Sequence, residues 1–195
     1  MKTQISLDPN TTALIVVDLQ RGIVARQAAP HSASEVVERC AKLADAFRER
    51  KALVVLVHVA FSDDRERLKP EADSAPPSGP LPPDWSDIVP EIGPRAGDIV
   101  ITKRQWGAFY GTALDLQLRR RGIRTLVFGG IATNFGVEST ARDAYERGFE
   151  QLFVEDAMSG LTADAHQFAI ATIFPRMGRI RSTDDVLAAI KNQGR

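Results

Sequence analysis

The sequence predicts a three-layer α/β/α domain: a parallel sheet of about six strands with helices on both faces. Three observations lead there. Apolar runs of three to eight residues recur along the chain, and most are continuous rather than alternating, as strands covered on both faces require. Amphipathic helical patterns lie between these runs. Such alternation implies parallel strands joined by right-handed crossovers, and glycine and proline mark the joints.

The first strand is Ala13–Asp18 (ALIVVD), closed by an acid. Ser32 and Glu35 then form a capping box, and Val36, Cys40, Leu43 and Phe47, spaced by 4, 3 and 4 residues, give the following helix one apolar face. The second and third strands are Ala52–Val59 (ALVVLVHV) and Asp98–Thr102 (DIVIT). Between them, Lys69–Pro94 holds eight of the eleven prolines, which reads as a loop over a binding site or a partner surface rather than a linker. Helix Thr112–Arg121 stops at Gly122, with the cations Arg119–Arg121 complementing its dipole. Strand Arg124–Phe128 leads through a Gly-rich turn into a helix that opens at about Phe135 and covers Gly136–Arg147. Strand Gln151–Val154, helix Asp164–Phe174 ended by Pro175, strand Arg179–Arg181 and helix Asp184–Lys191 complete the pattern. The whole is expected to be one Rossmann-like domain over residues 1–195.

Lys+Arg and Asp+Glu balance at 25 each, so no net field gathers nucleic acid or an anionic membrane. A small molecule is the expected partner. No run approaches the roughly 18 apolar residues of a membrane span, and MKTQISLDPN lacks an apolar leader core, so a cytoplasmic location is expected. The single cysteine, Cys40, belongs to a core stripe. His31, His58 and His166 are widely spaced and no clustered ligand pattern accompanies them, so neither a metal nor another cofactor is expected.

In open parallel sheets ligands bind beyond the carboxyl ends of the strands, where the strand order reverses. Asp18, Lys103 and Gly136 all fall at that edge. Asp18 alone could cap the next turn, and Lys103 alone could be a solvated strand-end cation. Together, a carboxylate and an ammonium favour each other's charged forms while burial opposes this, and such a pair can exchange a proton near neutrality.

The motifs ALIVVDLQ, VITKRQWGAFYGTALDLQLRRRGI and GGIATNFGVESTARDAYERGF occur in this order, and over about Thr12 to Ile190 the chain resembles the isochorismatase-like cysteine hydrolases. The resemblance implies that Asp18 and Lys103 flank a catalytic cysteine, whose place is taken here by Gly136. It implies a cis peptide at Ile131–Ala132 that aims the N–H groups of Ala132 and Gly136 as an oxyanion hole. Gln20, Ile23, Trp106, Phe109, Tyr110 and Thr133 carry over as substrate-binding positions, and a homo-oligomer, dimer or tetramer, is implied. True isochorismatases resemble this chain in having glycine at that position, and their vinyl-ether hydrolysis needs no protein nucleophile. They differ in carrying tyrosine at the place of Ala132, which leaves the substrate open. The expectation is a cysteine-independent hydrolase, with Asp18 as acid or base, Lys103 as electrostatic partner and Gly136 as space. Two alternatives stand: a catalytically silent relative that binds a ligand or acts through assembly, and an amidase using Ser139 or Thr133, neither of which has a histidine beside it in sequence.

Overall fold

The computed structural model describes residues 5–74 and 79–191; Pro76 and Pro77 of the proline-rich segment lie outside the described residues. Among the described residues six strands, β1 (Thr12–Val17), β2 (Leu53–Val59), β3 (Ile99–Lys103), β4 (Thr125–Ile131), β5 (Glu150–Ser159) and β6 (Arg179–Arg181), form one sheet. Its order is β3-β2-β1-β4-β5-β6, and all neighbours are parallel. The order reverses between β1 and β4. The helices are α1 (Arg21–Val24), α2 (Ala33–Glu49), α3 (Leu114–Arg120), α4 (Glu138–Glu146), α5 (Ala163–Phe168) and α6 (Thr183–Lys191).

Each central strand feeds two cores, which is why its sequence is apolar throughout. Along β1, Leu14 and Val16 pack with Val36, Leu43, Phe47 and Ile190 of α2 and α6. Ala13, Ile15 and Val17 face the opposite way, toward Leu114, Leu118, Ala141 and Ala144 of α3 and α4. The capping box at α2 forms as expected: Glu35 N donates to Ser32 Oγ at 3.3 Å and Ser32 N to Glu35 Oε2 at 2.9 Å. Cys40 is fully buried in that helix, its thiol donates to Ala157 O at 3.3 Å, and burial pushes its pKa up to about 12.

Besides the start of α4, three elements differ from the expectation. β4 continues through Gly129, Gly130 and Ile131 where a turn is expected, because these glycines mark a close approach. Gly130 has φ 122°, and a β-carbon there would stand 2.1 Å from Val17 O. β5 reaches Ser159 instead of Val154, its second half pairing with β4 across a register shift between Phe128 and Gly130. The helix expected over Asp164–Phe174 ends its α-helical part at Phe168, widens over Ala169–Ile173 and tightens over Phe174–Arg176.

The second half of the proline-rich segment is stitched to the chain just after β1. Arg21 N donates to Asp87 O, Gly22 N to Trp85 O and Val89 N to Leu19 O, at 2.8, 2.9 and 3.1 Å. This fixes one wall beside the carboxyl end of β1. Among the described residues no helix is long and apolar enough to cross a membrane.

Candidate active site

β1 and β3 are separated by β2, so at the usual strand spacing they lie about 10 Å apart. The lysine stem covers part of that gap and the aspartate side chain meets it from the other strand. Lys103 closes β3 on the same inward-facing register as Ile101, and its Nζ donates to Asp18 Oδ2 at 2.8 Å and to Trp106 O at 2.5 Å. Asp18 keeps its backbone N–H in the sheet, donating to Val57 O at 2.8 Å, while its φ of 54° turns the chain out of the strand. Aspartate is among the few non-glycine residues that enter this left-handed region.

Both members of the pair are buried, Lys103 at 1% exposure and Asp18 at 7%. Burial raises the Asp18 pKa above its ordinary value, opposed by the Lys103 charge and hydrogen bond and by the more modest effect of His58. Asp18 Oδ1 is buried with no hydrogen-bond partner among the described residues, so the acid does not cap the next turn. One carboxylate oxygen is anchored and the other is uncommitted.

The third position lies in one wide turn rather than in the first turn of α4. After the cis Ile131–Ala132 peptide, residues Thr133–Val137 form a turn in which Val137 N donates to Ala132 O at 3.2 Å, and α4 begins at Glu138. Such widened turns are frequent at functional sites. A β-carbon on Gly136 would lie 2.8 Å from Asp18 Oδ2, 3.0 Å from Lys103 Nζ and 3.1 Å from Val17 Cγ1. The ion pair therefore closes directly against the glycine, and a side chain at 136 would have to displace it.

A model of the isochorismatase domain matches residues 12–185. The chain belongs to the isochorismatase family. An uncharacterized isochorismatase family protein of Bacillus subtilis is 47% identical over 193 residues, covering 98% of this chain and 100% of its own. The structure of an isochorismatase family protein from Burkholderia thailandensis shares 47% identity with a TM-score of 0.91, covering 96% of this chain and 98% of that one. The ureidoacrylate amidohydrolase of Methylorubrum extorquens is 33% identical over 186 residues, 78% of this chain and 71% of its own. The family is hydrolytic.

Within this family frame, the positions carried over as substrate-binding separate into different environments. Trp106 is 64% exposed and meets Phe135 edge-on at 4.9 Å, and Tyr110 is 76% exposed. Phe109 belongs to the core beside Phe149, and half-buried Ile23 packs on the opposite core. Gln20 is fully buried and its amide is used by the backbone: Nε2 donates to Val59 O and Trp85 O, and Oε1 accepts from Val59 N. A separate cavity of about 370 Å³, lined by Phe61, Asp63, Asp64, Arg67, Pro80 and Leu81, contains none of these positions.

Two contacts involve residues outside the sequence-predicted set. Thr133 does have a histidine beside it in space, His166 Nδ1 lying 2.8 Å from its Oγ1, although 33 residues separate them. Ser139 has no such neighbour among the described hydrogen bonds. Thr140 Oγ1 donates to Gly136 O at 2.6 Å and accepts from Ala108 N at 3.1 Å, joining the glycine turn to the segment that follows Lys103. Thr140 lies within the quoted motif, a signal that could have found it. For His166 there is no comparable signal.

Proposed function

We propose that this chain is a hydrolase that works without a thiol nucleophile, by acid–base hydrolysis of a small enol ether or related metabolite. The observation that carries the reading is the division of labour within Asp18. Oδ2 is held by Lys103 at 2.8 Å, while buried Oδ1 has no partner among the described residues and can carry a transferable proton. Burial favours the protonated form, as a general acid requires.

In this scheme Asp18 Oδ1 gives its proton to the terminal enol carbon. The C=C electron pair forms the new C–H bond and leaves an oxocarbenium ion. Water adds to the positive carbon and returns a proton to Asp18. The hemiketal then collapses: the C–O bond breaks toward the departing oxygen, which takes the hydroxyl proton, giving an alcohol and a carbonyl product. Lys103 stabilises the carboxylate between the two proton transfers. Gly136 lets acid and ammonium approach each other directly, an arrangement that a thiol-bearing side chain would disturb.

The test is a panel of isochorismate, nicotinamide and N-carbamoyl amines with product detection, run on the wild type and on Asp18→Asn. Enol-ether turnover should fall by about 10²–10⁴-fold in the variant, the usual contribution of a positioned acid or base. Unchanged turnover would sink the assignment.

A further inference from the structure

Behind the turn that carries Gly136 lies a buried histidine that the proposed chemistry does not use. His166, on α5, is 1% exposed, and its Nδ1 is 2.8 Å from the hydroxyl of Thr133, which is fully buried. Thr133 is the first residue of the wide turn and Gly136 is the fourth. The turn is therefore gripped from outside at both ends: α5 holds Thr133, and Thr140 of α4 holds the Gly136 carbonyl at 2.6 Å.

The histidine is itself held in place. Thr162 caps its helix, with Ala165 N donating to Thr162 Oγ1 at 3.3 Å. The His31 ring meets His166 edge-on, with centroids 6.1 Å apart and planes at 89°. The His31 backbone is fixed in turn by Ser159, whose Oγ accepts from His31 N at 3.0 Å and donates to His31 O at 2.7 Å. Burial lowers the His166 pKa to about 4, so at neutral pH its ring is uncharged and can keep one donor and one acceptor nitrogen.

We propose that His166 is a positioning residue: through Nδ1 it fixes Thr133, and through Thr133 the turn that sets Gly136 against Asp18 and Lys103. This rests on the acid–base reading only for its consequence in turnover. The hydrogen bond and the turn are testable without a substrate.

The geometry of the ring supplies a sharp comparison. An asparagine at 166 places its amide where Nδ1 stands, whereas a glutamine reaches toward Nε2. Thr133→Ser keeps the hydroxyl and Thr133→Val removes it at nearly constant volume. Amide hydrogen exchange over residues 132–137 should accelerate about tenfold, the size of one lost hydrogen bond, in His166→Gln and Thr133→Val. It should stay within twofold of wild type in His166→Asn and Thr133→Ser. With a turned-over enol ether, kcat should fall in His166→Gln and be retained in His166→Asn, while KM changes little in either. Equal behaviour of the asparagine and glutamine variants in exchange would overturn the proposal, as would a covalent substrate adduct on Thr133 detected by mass spectrometry. If the wild type turns over no enol ether, the exchange experiment still decides the matter, so failure of the catalytic reading and failure of this one are told apart.

Discussion

At Asp18 two opposing effects meet, and burial outweighs pairing, so the carboxyl pKa is raised. The sign of the consequence for stability follows from linkage. A carboxyl whose folded pKa lies above its unfolded value stabilises the fold fully below the ordinary 3.8, and that contribution is lost as pH rises through the folded value. The unfolding free energy of wild type minus that of Asp18→Asn should therefore be most favourable to wild type below pH 3.8 and decline as pH rises. Urea denaturation of both proteins across acidic to neutral pH checks this. A difference that grows with pH would mean that the Lys103 charge dominates instead. Asp18 and Lys103 were legible in the sequence because each ends an apolar run, and a parallel sheet brings strand ends to one edge. His166 was not, because its contact depends on how α5 docks after β5.

The turn after β4 shows where reading elements from letters reaches its limit. Adjacent glycines suggest a turn, but the same residue also serves where one backbone must approach another, and Gly129–Gly130 serve the second purpose inside β4. The start of the following helix shifts with them, from an expected Phe135 to Glu138, and Gly136 falls in the wide turn between. The position of the glycine at the sheet edge was foreseen. Its closeness to Asp18 and Lys103 follows from the resemblance alone, and the wide turn that brings it there has no signal in the letters. Gly136→Ala places a β-carbon 2.8 Å from Asp18 Oδ2, so the carboxylate must move. The expected result is a drop in turnover of about 10²-fold, typical of a reacting group misplaced by an ångström. Overpacking should cost about 1–3 kcal/mol in thermal unfolding. Wild-type turnover in the alanine variant would show that the close fit has no catalytic consequence. In Gly136→Cys, gain of amidase turnover would show that the pair can reopen around a thiol.

On the scale of the whole molecule, the sheet order places β1 between the lysine strand and the glycine turn, so the site exists only once β1, β3 and β4 are assembled. The sequence predicted that architecture because continuous apolar strands and amphipathic helices leave few other arrangements. It predicted the proline-rich segment less fully, as a loop over a site or a partner surface. In the fold, residues 85–89 dock on the chain's own segment after Asp18, and Gln20 joins them to β2 through Val59 and Trp85. Gln20 forms an isolated antiparallel bridge with Ile88 as well. This makes Gln20 a fastener between the sheet edge and the loop. Gln20→Leu retains bulk but leaves the Val59 N–H without its side-chain acceptor, at a cost of about 1–3 kcal/mol for an unpaired buried group. Chemical denaturation should register that loss. Limited proteolysis should cut the native variant within residues 79–91 faster than wild type, because the loop has lost its tie to β2. If stability falls while the loop stays equally resistant, the backbone bonds from Arg21, Gly22 and Val89 hold it by themselves, and the wall beside Asp18 does not depend on Gln20.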